Sequence, residues 1–490
     1  MDARDTVRRV VVETNPYWPF SALNRMPYRL AIAAVARRMR RLAGVRALYL
    51  RNGLTRPDWV PGISDIDLTL VTESMPDARR EYALMRAIRD EYRALKRVFP
   101  MLGELGVLTP TTAGAWSRFG VDGYETRYWH AVFGDALPGL GFEPGPQRFR
   151  FDAWSHARLF GLDVLQRRML AGDGASFLSV RELRRVAAKV LAHCALARGE
   201  PRTALPLPAG ATTPAAVAAV ALRHLDAAAR SLDLSRVWAD SPAAAAAAAT
   251  GAPTQIASGE ALQLRPGLAQ PPSGIDAIVA ADRHRIASLR DGLDLRETEA
   301  CFAWIAQCLP AGELLPSVVT PAVLSHWLRH ADPYLHTHVR KHGRMVYGAG
   351  AVLPEAPHER AFAHAVLAQA PNAIAAARSP EIVAPLAAAF VGGRAFGLAV
   401  ERALFVRTLL ACGTASSQYH EMAAESRRRY GDLLAQVGDI RARALRDADD
   451  AGLAAFALLR ELADDVAAGV EHVDVDHLLF RRAGGAPARG

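Results

Sequence analysis

The sequence predicts an α+β protein: a small mixed sheet near the N-terminus, followed by a much longer, mostly helical region. Three observations carry this. Short stretches at 45–51, 65–71 and 103–110 have strand character. Long segments with apolar residues every three or four positions separate and follow them. The 490 residues are 51% hydrophobic, enough for two or three domains with cores of their own.

The elements follow in order. "MDARDTVRRVVVETNPYWPF" lacks a long apolar core before a small-residue cleavage site, so no signal peptide is expected. "YRLAIAAVARRMRRLAG" (28–44) has helical spacing, and its terminal arginines complement the helix dipole. "VRALYLR" (45–51) reads as a strand, and "NGLTRPDWVPG" as a loop punctuated by Asn-Gly and Pro-Gly. A second strand runs from Asp65 to Val71, where Ile66, Leu68 and Leu70 alternate with polar residues. "MPDARREYALMRAIRDEYRALKRVF" is a charged amphipathic helix, and "GELGVLTP" a third strand. Residues 1–145 therefore form one expected domain.

Beyond it the pattern turns helical. We expect a helical domain over 146–240 and a Pro/Gly-rich linker or exposed insertion over 241–274. A helical C-terminal domain over 275–490 is expected to contain a short strand at "RMVYG" and end in a packed antiparallel bundle.

The formal charge is +9, and only Lys96, Lys189 and Lys341 are lysines. The excess fits either an arginine-biased composition or an affinity for polyanions, and nucleic acid is not the favoured partner. The four cysteines form no CxxC pair and suit packing in a reducing compartment. The most apolar tract, "IVAPLAAAFVGGRAFGLAVERALF", is interrupted by Arg394 and Glu401, so no membrane partner is expected and a cytoplasmic location is. His326, His330, His336, His338 and His342 include i, i+4 pairs, which suit interface positions as well as a zinc site.

The chemistry concentrates in "GISDIDLTLV" (62–71). Asp65 and Asp67 are two apart on a strand, so both carboxylates point to one face. Side by side they repel unless a cation lies between them. A hard divalent ion, Mg²⁺ above all, is the natural partner for such oxygens.

"LYLRNGLTRPDWVPGISDIDLTLV" resembles the signature of the nucleotidyltransferase superfamily related to DNA polymerase beta. The resemblance covers roughly residues 28 to 140. It implies Asp65 and Asp67 as catalytic metal-binding carboxylates, with Glu104 in "LGELGVL" as the third. It implies a nucleotide site at Asn52, Gly53, Arg56 and Ser64. The family has Gly-Ser where this chain has Asn52-Gly53, which removes a phosphate-binding hydroxyl. The implied reaction is two-metal transfer of a nucleoside monophosphate, AMP from ATP or another NTP, to a hydroxyl of a small-molecule acceptor. The gross architecture is similar to that of aminoglycoside adenylyltransferases. The alternatives are an antitoxin-like binding module, or nucleotidylation of RNA or protein.

Overall fold

The computed structural model describes residues 3–55, 59–119, 123–134, 146–172, 177–202, 207–233, 254–258, 271–308, 315–348, 352–383, 385–474 and 479–480. Its fold is mixed α/β, with two four-stranded sheets among many helices. The chain divides into two compact units: Met1–Pro144 with Val366–Gly490, and Gly145–Ala365.

The first unit opens with helices α1 (Ala3–Thr14) and α2 (Phe20–Met39). Strands β1 (Val45–Arg51) and β2 (Ile66–Thr72), helix α3 (Ala78–Val98), strand β3 (Leu102–Leu108), helix α4 (Pro110–Trp116) and strand β4 (His130–Phe133) follow. The strand order is β3-β2-β1-β4. β1 is antiparallel to both β2 and β4, and β2 is parallel to β3. A parallel pair needs a crossover, and α3 supplies it. Asp77 caps α3 by accepting the Arg79 N–H, and its buried face includes Leu84, Met85, Ile88 and Leu95. Leu48, Ile66, Leu68 and Leu70 are fully buried.

The sheet's other face changes character along its strands. At one end Ala47, Tyr49 and Val71 form an apolar cluster with Trp129, which also packs against Trp116. At the other end the same alternation brings up Arg51, Asp67 and, just before β2 begins, Asp65. Apolar packing fixes the register, and register delivers the polar residues to one rim.

The second segment of this unit is helical: α5 (Ala370–Ala376), α6 (Arg394–Cys412), α7 (Tyr419–Ala444) and α8 (Ala448–Val470). α8 packs on α3 and α4. Gly452 permits the close approach, because a Cβ there would lie 2.5 Å from the Tyr82 hydroxyl. A buried ion network ties the two segments. Arg378 Nε lies 2.7 Å from Glu81 Oε1, with both side chains almost fully buried, and Arg460 Nε lies 3.2 Å from Glu81 Oε2.

This differs from the expected division, which took 275–490 as one helical domain. Residues 366–490 share a unit with the N-terminal sheet, and the boundary falls near 366. Helical periodicity marks a face to be buried without saying against what, so the division was invisible in the pattern.

The second unit contains helices at Pro146–Arg158, Phe177–Ala197 and Pro214–Ser231, and a second sheet. Strands at Ile275–Ala281 and His284–Leu289 form a hairpin, flanked by Ser317–Val319 and Arg344–Gly348. "RMVYG" is a strand, as expected. The hairpin corrects the helical reading of this stretch. "IDAIVAA" is a short apolar run, ambiguous between strand and helix, and its turn carries Asp282 at φ 47° in place of a telltale glycine. Most of 241–274 lies outside the described residues; Thr254–Gln255 pairs with Val352–Leu353.

Candidate functional site

The loop leading to β2 is built to hold one conformation. Gly62 has φ 84°, a left-handed value that glycine adopts without strain. Its N–H donates to the Tyr28 hydroxyl at 2.9 Å, and that hydroxyl donates to the Ser64 carbonyl at 2.8 Å. Arg8 Nε donates to the Gly62 carbonyl at 2.9 Å. Trp59 packs on Tyr28, with ring centroids 5.0 Å apart. Ser64 was expected to face a nucleotide. Its side chain is buried and accepts the Val60 N–H at 3.0 Å, so it closes the turn.

Asp65 stands exposed at the end of this turn, one residue before β2, and Asp67 is half-buried within β2. Asp67 is the direct cross-strand partner of Arg51. On the opposite side, β3 takes one extra residue: Ile66 pairs with Leu102 and Leu68 with Leu105. This bulge re-aims the backbone at Gly103 and Glu104. The Glu104 N–H donates to Asp67 Oδ1 at 3.0 Å. A Cβ on Gly103 would lie 2.5 Å from Asp67 Oδ1 and 3.1 Å from Asp65 Cβ, so only glycine leaves room for both aspartates.

The structure thus brings Asp65, Asp67 and the Glu104 backbone together at one rim. The Glu104 side chain is 74% exposed and pairs with Arg51 Nη2 at 2.9 Å. The three carboxylates do not bring one oxygen each within 4.8 Å of one another. The expected triad is therefore an Asp65–Asp67 pair with Glu104 held beside it by an arginine. Asn52 and Gly53 begin a 3₁₀ turn, Asn52–Thr55, that continues directly from β1. Arg56 lies outside the described residues.

Three residues were missed from sequence. Arg51 ends β1; the antiparallel pairing of β1 with β2 would have placed it on the aspartate face. Tyr92 and Lys96 are i, i+4 on α3. Both donate to the Gly103 carbonyl, at 3.3 and 3.0 Å. Lys96 is one of only three lysines, which was a visible signal. Burial pushes the Tyr92 phenol well above its ordinary range, and Asp67 adds to the rise while Arg51 opposes it. Tyr92 therefore acts as a neutral donor that pins the bulge.

All the site oxygens come from carboxylates, the donor set a hard divalent cation prefers. The cradle left by Gly103 and the exposure of Asp65 fit such an ion at the two aspartates. Searches against protein-family models, curated proteins and solved structures find no match to this chain.

Proposed function

We propose that this protein transfers a nucleoside monophosphate, AMP from ATP, to a hydroxyl of a small-molecule acceptor and releases pyrophosphate. The observation that carries the reading is the rim at which Asp65 and Asp67 share one face, with β3 bulged so that Gly103 makes room for them. The resemblance of 48–71 to nucleotidyltransferases supplies the reaction class.

Asp65 and Asp67 would hold Mg²⁺, and Glu104 would complete the set once its carboxylate leaves Arg51. The ion would supply charge stabilisation for the transfer. The acceptor oxygen forms a bond to the α-phosphorus, the bond to the β-phosphate oxygen breaks, and Glu104 takes the hydroxyl proton. Arg51, released from Glu104, offsets negative charge at the rim. The Gly62–Ser64 loop, pinned by Tyr28 and Arg8, keeps Asp65 in place through the reaction.

The test measures pyrophosphate release and equilibrium binding of each NTP with Mg²⁺ and hydroxylated acceptors, for wild type and Asp65→Ala/Asp67→Ala. Release that vanishes in the double variant supports the reading. Wild type that binds no NTP sinks it. A second reading is a nucleotide-binding or regulatory module without turnover. Asn52-Gly53 in place of Gly-Ser, and the Arg51–Glu104 pair, favour it. NTP binding without pyrophosphate release from any acceptor would select it.

A further inference from the structure

Twelve large apolar side chains are exposed among the described residues, and eight of them fall between Val7 and Leu30. They belong to the α1–α2 helical hairpin. α1 buries Val12 and ties Arg8 to Gly62, leaving Val7 and Val10 outside. α2 buries Tyr28, Ala31, Val35 and Met39, leaving Leu23 and Leu30 outside, seven residues apart on one stripe. Between the helices Tyr17 and Trp18 project at the tip, Trp18 with 84% of its surface exposed. Asn24 Nδ2 donates to the Val11 carbonyl at 3.1 Å, which holds the hairpin closed. Eight exposed large apolar side chains on one helical hairpin mark a contact face.

Charge identifies what the face meets. Residues 1–41 hold nine arginines against Asp2, Asp5 and Glu13, which is +6 of the chain's +9. α2 contains four arginines and no carboxylate in 20 residues. A second copy would bring two such surfaces together against their repulsion. Nucleic acid would satisfy the arginines and leave the aliphatic stripe in water. A hairpin whose connecting turn exposes Tyr17 and Trp18 suits a medium that deforms around those rings, whereas a folded partner needs a matching cavity.

We propose that the α1–α2 hairpin docks on an anionic lipid surface, with Tyr17 and Trp18 entering the headgroup boundary, the outer stripe of α2 lying along it and the exposed Arg29 and Arg37 meeting lipid phosphates. No helix among the described residues is long and apolar enough to cross a bilayer, and this docking needs none. The sequence expectation of no membrane partner rested on the lack of a spanning segment alone. The docking is independent of nucleotidyl transfer.

The test is flotation of the full chain with phosphatidylcholine–phosphatidylglycerol vesicles and with pure phosphatidylcholine vesicles. Light scattering of the same samples without lipid gives the molecular mass. Wild type is expected to float with the anionic vesicles and to be released by salt. Trp18→Ser/Leu23→Ser should lower the vesicle partition coefficient about tenfold with an unchanged melting temperature, since both side chains are exposed. Arg29→Glu/Arg37→Glu should remove the preference for phosphatidylglycerol. No flotation with anionic vesicles, or flotation unchanged in both variants, overturns the proposal. So does a dimer that Trp18→Ser/Leu23→Ser splits, because the face would then be buried between copies.

Discussion

Arg51 and Glu104 form an ion pair at 2.9 Å although their strands are not neighbours: β2 runs between them, and Asp67 lies on it as the cross-strand partner of Arg51. The pair therefore bridges about two strand spacings directly over an aspartate. Arg51 is only 11% exposed while Glu104 is 74% exposed, so the arginine is the fixed partner and the glutamate the movable one.

Replacing Arg51 should make the rim depend on metal. Arg51→Ala leaves Asp65, Asp67 and Glu104 without their nearest fixed cation. We expect a modest loss of stability without divalent ions, about 1 kcal/mol or less because Glu104 is solvated. We also expect a larger rise in melting temperature on adding Mg²⁺ than in wild type. Thermal unfolding of both proteins with and without Mg²⁺ measures the difference. An equal Mg²⁺ response would mean that Arg51 does not compete with the ion.

Gly103 is the most specific structural prediction at the site. A methyl group there would press on Asp67 Oδ1 and on the Asp65 side chain. Gly103→Ala should lower pyrophosphate release on the order of 10²-fold, the size of effect a misplacement of about 1 Å has on a reacting geometry. Gly106→Ala is the control, since its Cβ would meet nothing closer than the Thr69 hydroxyl at 3.4 Å. Comparable losses in both variants would remove the special role of the bulge.

The Glu81–Arg378 pair should be a stability determinant without a role in binding. Truncating one member of a buried ion pair strands the other. Arg378→Met is expected to cost about 3–5 kcal/mol in urea unfolding. Glu81→Met/Arg378→Met should recover part of that loss, because it removes both charges from the interior. A double variant no better than the single one would show that the network acts instead through Arg460 and through Asp464, whose carboxylate lies 3.8 Å from both Arg378 and Arg460.

The second unit should lose stability in acid. Burial holds His330 and His364 well below the ordinary 6.5, with neighbouring cations adding to the effect: His326 and Arg329 at His330, and Arg148 at His364. The folded state keeps these rings neutral, while the unfolded chain protonates them below about 6.5. Unfolded protein then binds more protons, so their contribution to stability is complete above that value and is lost progressively as pH falls below it. Melting temperatures from about pH 8 to about pH 5 should decline, and His330→Phe/His364→Leu should flatten the decline. A slope unchanged in that variant would assign the acid sensitivity to other groups.

Several elements were legible in sequence because one local rule decides each. "VRALYLR" is a strand between a helix and an Asn-Gly turn, and "GISDIDLTLV" alternates so regularly that two carboxylates must share a face. The long helix after it is amphipathic with Asp77 in place to cap it. "IDAIVAADRHRIASL" falls in a region expected to be mostly helical, and its hairpin was not legible because its apolar run is short and its turn residue, Asp282, gives little warning of a left-handed backbone.

By itself, the sequence determined the alternation of β2, the two aspartates at its start and the glycine-bearing loop before them, since each follows from spacing along a single stretch of chain. Tertiary structure decided the rest. It put Arg51 over Asp67, gave β3 an extra residue beside Gly103, turned Glu104 toward an arginine, buried Ser64 in the turn and joined residues 366–490 to the N-terminal sheet. Those features depend on which strand lies beside which and on what each helix packs against, and contacts between residues distant in sequence leave no periodicity in either partner.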